Sequence, residues 1–246
     1  HRDLHLSLRR QRQMCIRDRH KGTRVVLDPG PGTLVRCAKA RPRIDVEKLD
    51  GIILSHLHID HSSDVNVLLD AMTYGGMRRR GVLFAPCDAL EGEHQVVFSY
   101  VRKFLDRVET LGAGRFYVIG NVEFYVPVQH RHPVETYGFV FHFGGVKVGY
   151  ITDTDYFDEL LDAYGGVDIL VVHTVLVERK QGAMHLCVED AKRLISGIKP
   201  DLAILTHFGM GLLKACPQRI AEAMSDELGV LVKAAYDGMS LRVGKG

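Results

Sequence analysis

The sequence of 246 residues lacks the features of membrane, fibrous and disulfide-stabilised proteins. No apolar run approaches the roughly 18–20 residues that span a bilayer, so no membrane segment is expected. We find no internal repeat and no low-complexity linker, and the content of 46% hydrophobic and 25% charged residues is that of a globular chain. The five cysteines form no CxxC pair and are odd in number, which argues against a disulfide framework or a zinc ribbon and favours a reducing, cytoplasmic setting.

The positive charge of the chain is confined to its first 20 residues. The formal net charge is +2, but residues 1–20 contain six arginines and two aspartates, so residues 21–246 carry a net charge of −2. Residues 1–20 have no apolar periodicity and no signal-peptide core, and the run QMCIRDR resembles a translated sequencing adapter. We therefore expect residues 1–20 to be non-native or disordered, with a basic nucleic-acid arm as the alternative, and residues 21–246 to form a single domain.

Residues 21–246 alternate between short apolar runs and amphipathic segments, which is typical of a layered α/β domain. The predicted strands, rich in Val, Ile, Tyr and Phe, are 24–28, 51–55, 81–85, 122–128, 137–143, 146–152, 168–172, 201–206 and 230–235. The predicted helices are 63–73, 95–108, 155–163, 188–198 and 217–228. In the fourth helix, apolar residues recur with the spacing of one stripe, so this helix is expected to bury one face.

The strongest chemical signal is the segment SHLHIDH at 55–61, which contains three of the 13 histidines. It follows an apolar strand and brings His56, His58, Asp60 and His61 within six residues. Imidazole and carboxylate groups are ligands of zinc and comparable divalent ions. Because residues 56 and 58 alternate along an extended segment, both side chains point the same way, while Asp60 and His61 can reach a second ion. The pattern predicts a metal site rather than a polar loop.

Polar residues at the ends of three later strands add to this candidate site. His132 comes after the strand predicted at 122–128, Asp153 follows VGYIT, and His207 follows LAILT. The carboxyl ends of strands are where α/β folds gather their sites, so these residues are expected to converge with the segment 55–61. His130 is an alternative to His132 at this point.

The motif HxHxDH at 56–61, followed in order by His132, Asp153 and His207, resembles the metallo-β-lactamase fold superfamily over about residues 22–243. The resemblance implies a four-layer αβ/βα sandwich with a dinuclear site between its sheets. Proteins of this family usually have one or two strands before the segment that begins at Arg24. Since residues 1–20 are not expected to supply them, the first strands should be missing and a sheet edge exposed.

The resemblance also implies a ligand set for two divalent ions. The residues so assigned are His56, His58 and His132 for one ion, Asp60, His61 and His207 for the other, and Asp153 as the bridge. His132 is preferred to His130 because the family's ligand is followed by a glycine at the spacing of Gly138, which leaves His130 in a solvated loop. Zinc is the favoured metal, and ligation by histidine and aspartate alone also suits iron and manganese.

Several details are similar to the tRNase Z and cyclic-phosphate phosphodiesterase branch. Position 153 is an aspartate, whereas the branch that hydrolyses antibiotics uses a cysteine there. The similar details are TDT at 152–154, LTHF at 205–208, YDGM at 236–239, and His185, 22 residues before His207. In that branch the histidine matching His185 lies beside the reacting phosphate. The match is partial at His173, since the branch often has His-Glu-Ala and this chain has His-Thr-Val; we expect His173 to be buried or to support the ligands.

One departure favours a small substrate over tRNA. Only 21 positions separate His132 from Asp153, which leaves no room for the long arm with which tRNase Z enzymes commonly grip tRNA. The net charge of −2 also lacks the basic balance of a nucleic-acid groove, and the run MRRR at 77–80 is interpreted as solvated, with phosphate contact as the alternative. The favoured function is a phosphodiesterase acting on a small-molecule phosphodiester. A tRNase Z-like endoribonuclease and a thioester or lactone hydrolase on the same fold are the alternatives.

The expected mechanism uses hydroxide bridged between the two metals. Ions about 3.5–4 Å apart would share a water and lower its pKa toward ~7. Asp60 would orient this nucleophile, and protonated His185 would donate to the leaving oxygen. The sequence therefore predicts Asp60 and His185 as catalytic residues.

Overall fold

The protein is built on two large β-sheets, seen in a computed structural model that describes residues 6–8, 16–20 and 22–243. In these residues the strands are β1 Leu6–Leu8, β2 Ile16–His20, β3 Thr23–Leu27, β4 Gly51–Ile53, β5 Val82–Ala85, β6 Arg107–Thr110, β7 Arg115–Ile119, β8 Val122–Val126, β9 Phe139–Phe143, β10 Val146–Ile151, β11 Ile169–His173, β12 Leu202–Thr206, β13 Leu231–Ala234 and β14 Met239–Leu241. The helices there are α1 Thr33–Lys39, α2 Ile59–Ser62, α3 Val65–Thr73, α4 Cys87–Leu90, α5 Ser99–Arg102, α6 Glu159–Ala163, α7 Val188–Ile198, α8 Met210–Lys214 and α9 Pro217–Leu228, with a 3-10 helix at Val46–Lys48. Over the same residues, none of the helices has the length and hydropathy needed to cross a bilayer.

Each sheet combines parallel and antiparallel strands. The smaller sheet has the order β2-β3-β4-β5-β6, in which β3 to β6 are parallel. The larger sheet has the order β13-β12-β11-β10-β9-β8-β7, in which β10 to β13 are parallel and the pairs from β7 to β10 are antiparallel. Because parallel neighbours end at the same edge of a sheet, the segments after β10, β11 and β12 meet there.

The two sheets pack face to face over an apolar core. Leu27, Ile53 and Phe84 of the smaller sheet contact a cluster that includes Phe124 and Phe139 of the larger one. The rings of Phe84 and Phe124 meet edge to face with centroids 5.2 Å apart. Full burial of one such side chain contributes about 1.5–3 kcal/mol, so this core holds the sheets at a fixed separation.

Helices cover the outer face of each sheet. Leu68 of α3 packs with Ile52 and Leu83 of the smaller sheet. Leu194 of α7 packs with Leu170 of the larger sheet, together with residues of α6 and α9. The resulting order of helix, sheet, sheet and helix confirms the predicted αβ/βα sandwich.

Helix α7 begins and ends where the sequence predicted. The carboxylate of Asp190 accepts a hydrogen bond from the Cys187 amide at 3.1 Å, which satisfies one of the free N–H groups at the start of the helix. The predicted apolar stripe is buried, and Lys199 ends the helix with a φ of 53°. Cap and stripe are both local features, which is why the sequence alone located this helix.

The prediction of a helix at 95–108 was wrong. The chain there forms only the four-residue helix α5, followed by strand β6. The side chain of Asn66 accounts for the break, because its amide donates to the Val96 carbonyl at 2.7 Å and accepts from the Phe98 amide at 2.9 Å. The Val96 carbonyl and the Phe98 amide are therefore engaged by a side chain and not by the backbone hydrogen bonds of a helix.

Two strands lie within residues 1–20, in contrast to the expectation that this segment supplies none. Strand β2 pairs antiparallel with β3 from Ile16 opposite Leu27 to His20 opposite Thr23, and β1 pairs with β14. Backbone groups of an edge strand accept a partner whatever its side chains, so the absence of apolar periodicity does not prevent pairing. Residues 1–5, 9–15 and 21 lie outside the described residues, and the non-native origin of the segment stays a prediction.

Candidate metal centre

The side chains assigned to metal binding meet at one edge of the two sheets. The strand ends that supply them are those of β4 for His56, His58, Asp60 and His61, of β8 for His132, of β10 for Asp153 and of β12 for His207. Four of these residues therefore come from the smaller sheet and three from the larger. The convergence predicted from the positions of strand ends is present.

The first cluster consists of His56, His58 and His132, whose ring nitrogens lie within 4.8 Å of one another. His132 Nε2 is 3.0 Å from His58 Nδ1. The opposite nitrogens are engaged by the protein: His132 Nδ1 donates to the Met184 carbonyl at 3.0 Å, and His56 Nδ1 lies 2.9 Å from Ser55 Oγ. These outer contacts turn the remaining nitrogens toward a common point.

The second cluster contains Asp60, His61 and His207, and the ligand atoms of His61 and His207 also lie within 4.8 Å of those of Asp153 and His173. His61 Nε2 is 2.9 Å from His207 Nε2, and Asp60 Oδ2 is 3.4 Å from the same His207 atom. Behind the cluster, the fully buried Asp28 accepts from His61 Nδ1 at 3.0 Å and from the Ser55 amide at 2.6 Å. Asp28 thus orients His61. It was not among the predicted site residues, although the turn run DPGPG that contains it directly follows a strand.

Asp153 lies between the two clusters and is 2% exposed. Its Oδ2 is 3.8 Å from His56 Nε2 and 3.5 Å from His61 Nε2, one histidine from each cluster. Its Oδ1 accepts from His173 Nδ1 at 2.7 Å, and the Tyr150 hydroxyl lies 2.8 Å from His173 Nε2. We assign the tyrosine as donor to Nε2, which leaves the imidazole proton on Nδ1. One oxygen of Asp153 faces both clusters while the other is held from behind.

His173 and His130 are both buried, but only His173 matches the prediction. His173 supports Asp153, as expected of a residue behind the ligands. His130 was expected in a solvated loop and is instead 4% exposed, with Nε2 2.9 Å from the Tyr164 hydroxyl and Nδ1 2.9 Å from Thr152 Oγ1. A Cβ on Gly138 would lie 2.6 Å from His130 Cε1, so the glycine makes room for this ring. With both nitrogens engaged, His130 is no competitor of His132.

The electrostatics of the site favour cation binding. Burial lowers the pKa of His56 well below its usual value and that of His132 to about 4, so these rings are neutral. Burial opposes ionisation of Asp153, but the surrounding histidines outweigh it and its pKa lies well below the usual range. Burial also opposes ionisation of Asp60, yet the hydrogen bond from His207 and the neighbouring histidines lower its pKa to about 2. Neutral imidazole and ionised carboxylate are the forms that bind divalent ions.

His61 differs from the other histidines of the site. Burial disfavours its charged form, but the hydrogen bonds with Asp153 and Asp28 outweigh burial and raise its pKa well above the usual value. Binding of a cation at this position would therefore release a proton.

The donor set fits divalent ions. Two buried ring nitrogens of assigned ligands, His56 Nε2 and His207 Nδ1, have no hydrogen-bond partner among the described residues. A buried polar atom without a partner costs about 1–3 kcal/mol, which coordination would offset. Ions with bonds of about 2.0–2.1 Å to nitrogen place neighbouring donors roughly 3 Å apart, close to the separations across each cluster. Histidine and carboxylate donors suit zinc, iron and manganese alike.

His185 lies beside the first cluster and Asp153. Its Nδ1 is 3.6 Å from Asp153 Oδ2, and its ring centroid is 5.1 Å from that of His132. The side chain is 28% exposed, so the ring extends from the buried carboxylate to the solvent. The structure thus brings His185 next to the candidate centre. One nitrogen of His185, one of His132 and a carboxylate oxygen of Asp153 lie within 4.8 Å of one another.

Comparison with known proteins identifies the family. The family model for beta-lactamase superfamily domains matches residues 23–208. An uncharacterized protein of Methanocaldococcus jannaschii is 30% identical over 230 residues, which span 89% of this chain and 83% of that protein. The metallo-beta-lactamase fold protein YhfI of Bacillus subtilis has a TM-score of 0.82 at 17% identity, covering 99% of this chain and 100% of that one. A diphosphatase of the PhnP family has a TM-score of 0.69 at 21% identity, covering 94% and 85%. The chain therefore belongs to the metallo-β-lactamase fold superfamily of metal-dependent hydrolases.

Proposed function

We propose that the chain is a dinuclear metal-dependent phosphodiesterase that acts on small phosphodiesters. The observation that carries the proposal is the position of Asp153 Oδ2, which faces one histidine of each cluster and lies 3.6 Å from His185. The proposed ligands are His56, His58 and His132 for one ion, Asp60, His61 and His207 for the other, and Asp153 for both. Zinc is the favoured metal, with iron and manganese compatible with the donors.

The chain's own residues account for the remaining steps. Divalent ions bound there would supply Lewis acidity at the phosphoryl oxygens and lower the pKa of water. Asp60, whose side chain is 32% exposed, can accept a hydrogen bond from the attacking water and orient it. His185 can donate a proton to the leaving oxygen, since its ring spans from Asp153 to the solvent.

Two observations favour a small phosphodiester over tRNA as the substrate. The residues between His132 and Asp153 consist of the strands β9 and β10 and their short connections, with no protruding arm in this described stretch. Residues 21–246 also carry a net charge of −2, which lacks the basic balance of a nucleic-acid groove. A tRNase Z-like endoribonuclease and a thioester or lactone hydrolase are the competing functions.

Turnover of bis-p-nitrophenyl phosphate by metal-loaded protein tests the proposal. For a diester with an alcohol leaving group, whose oxygen needs a proton to depart, we expect His185→Ala to lower kcat about 10²–10⁴-fold with the bound metal unchanged, because a general acid is lost but no ligand. Asp60→Ala should lower both kcat and the metal content. The control is His94→Ala, since His94 lies on an exposed loop.

The same assays contain the results that would contradict the proposal. Absence of turnover with zinc, manganese and iron would reject the phosphodiesterase, and hydrolysis of a thioester or a lactone in parallel would favour that alternative. Loss of one metal equivalent in His185→Ala would make His185 a ligand instead of an acid.

A further inference from the structure

A cavity of about 470 Å³ lies at the edge of the smaller sheet opposite the candidate metal centre. The charged residues that line it are Arg78, Arg79, Arg80, Arg107, Asp50 and Asp106. Asp50 immediately precedes β4, and Asp106 immediately precedes β6. The cavity therefore lies at the N-terminal ends of parallel strands whose C-terminal ends supply the metal centre. Five residues of chain, roughly 15 Å, separate Gly51 from His56.

Each of the four guanidinium groups of this arginine pocket is held in place by a neutral group of the protein. Three of them donate to neutral backbone carbonyls, and that of Arg78 lies 4.6 Å from the ring centroid of Tyr74. Four hydrogen bonds result: from Arg79 Nε to Leu105 O at 2.9 Å, from Arg80 Nη1 to Glu47 O at 2.5 Å, from Arg80 Nη2 to Leu49 O at 2.9 Å and from Arg107 Nη2 to Val118 O at 2.8 Å. Side chains ordered before binding lose less conformational entropy when a ligand arrives.

The carboxylates of the arginine pocket only partly compensate its positive charge. Asp50 Oδ2 accepts from the Arg24 amide and Asp106 Oδ2 from the Gly81 amide, each at 2.8 Å, so both are engaged at strand starts. Arg80 is 3.8 Å from Asp50, and Arg107 pairs with Glu109 outside the lining. Within the described part of the chain, Arg78 and Arg79 form no ion pair. Four guanidinium groups against two lining carboxylates leave the pocket positive.

We propose that the arginine pocket binds a phosphate-bearing small molecule of nucleotide size. A guanidinium fork matches the geometry of phosphate oxygens, and the Nη groups of Arg79 remain available because only its Nε is engaged. Val82 and Ile119 contribute apolar surface to the lining, suited to a base or another flat group. The volume exceeds that of a single phosphate and falls in the range of small-molecule sites. This site does not depend on the function proposed for the metal centre.

Calorimetric titration of the intact protein with ADP, pyrophosphate and adenosine tests this proposal. We expect ADP to bind most tightly, pyrophosphate more weakly and adenosine without detectable heat. The double variant Arg78→Ala/Arg79→Ala should bind ADP at least 10-fold more weakly while its phosphodiester turnover is unchanged. The matched control is Arg193→Ala, because the Arg193 guanidinium also lies over a tyrosine ring, at 4.2 Å from the centroid of Tyr156, but on the other helix layer.

The single variant Arg79→Lys shows whether weaker ADP binding comes from the lost phosphate contact or from a loss of folding. It keeps the charge but removes the fork, so we expect intermediate ADP affinity at an unchanged thermal midpoint. Equal ADP affinity in the parent and the double variant would overturn the proposal. So would binding of an RNA oligonucleotide without binding of ADP or pyrophosphate, which would make the surface a nucleic-acid contact.

Discussion

At the scale of single residues, the candidate centre depends on groups that hold the ligands from behind. Asp153 offers Oδ2 to both clusters because its Oδ1 is taken by His173. His173 can donate to Oδ1 only while its proton is on Nδ1, and the Tyr150 hydroxyl at Nε2 selects that tautomer. Tyr150 thus acts on Asp153 through one intermediate ring.

We expect Tyr150→Phe to weaken metal binding about 10–100-fold, the usual effect of losing a residue that orients a ligand. Phenylalanine preserves the packing of this buried ring but removes the donor to His173, so the hydrogen bond that holds Asp153 Oδ1 is weakened. Competition with a chelator measures the affinity, and elemental analysis of the purified variant measures the bound metal.

Tyr164→Phe is the matched control for this variant. The Tyr164 hydroxyl also contacts a buried histidine, His130, but His130 is outside both clusters. Both variants should lose about 1 kcal/mol of unfolding free energy with the hydrogen bond, and only Tyr150→Phe should bind metal more weakly. Equal metal affinities in the two variants would refute the role of Tyr150.

The residues that meet at the candidate centre, and His173 behind Asp153, could be predicted from the sequence, whereas two other supporting groups could not. His56, His58, Asp60 and His61 form one dense local motif, and the later ligands each end an apolar strand. The two supporting groups have no such signature. Asp28 is 33 positions from His61, and His132 is held by the backbone carbonyl of Met184, a group that every residue possesses.

At the scale of elements, the segment between β11 and α7 contributes two groups to the candidate centre. It contains the Met184 carbonyl that holds His132, followed at once by His185. Arg179 anchors this segment through two ion pairs, with Asp155 at 2.9 Å and with Asp190 at 2.7 Å, which we call the Arg179 clamp. The clamp therefore joins the segment to the start of α7 and to the turn after Asp153.

We expect Arg179→Ala to loosen this segment with little change in global stability. Half-exposed ion pairs contribute about 0.2–1 kcal/mol, so the thermal midpoint should fall by only a few degrees. Limited proteolysis should cut residues 177–184 faster than in the parent. Metal affinity should decrease, because the Met184 carbonyl then holds His132 less firmly. Lys192→Ala, which breaks an ion pair with Glu227 between α7 and α9, is the control and should change neither readout. Unchanged cleavage in Arg179→Ala would refute the clamp.

Elements with local signals were predicted well, and those set by distant contacts were not. Helix α9 runs from Pro217 to Leu228 as predicted, with a proline in its first turn and Gly229 in the left-handed conformation after its end. The segment 95–108 has buried apolar residues but lies under the side chain of Asn66, about 30 positions earlier. No local pattern reports such a contact.

At the scale of the whole molecule, the candidate centre joins the two sheets. His61 follows the smaller sheet and His207 the larger, and their Nε2 atoms are 2.9 Å apart. His58 and His132 meet across the same boundary at 3.0 Å. A cation shared by each pair would therefore link the two halves of the sandwich at their common edge, in addition to the apolar core.

We expect removal of metal to lower the thermal midpoint of the whole domain. A ligand at 1,000 times its Kd stabilises the folded state by about 4 kcal/mol, and each kcal/mol shifts the midpoint of a chain of this size by about 2–4 °C. Metal-loaded protein should therefore unfold roughly 10 °C above protein treated with a chelator, as measured by calorimetry. His207→Ala should lose part of this shift, because one ligand that crosses between the sheets is gone, whereas His94→Ala should retain all of it. Equal midpoints for the loaded and stripped parent would contradict a metal link between the sheets, since ligands that bind only the folded state must stabilise it.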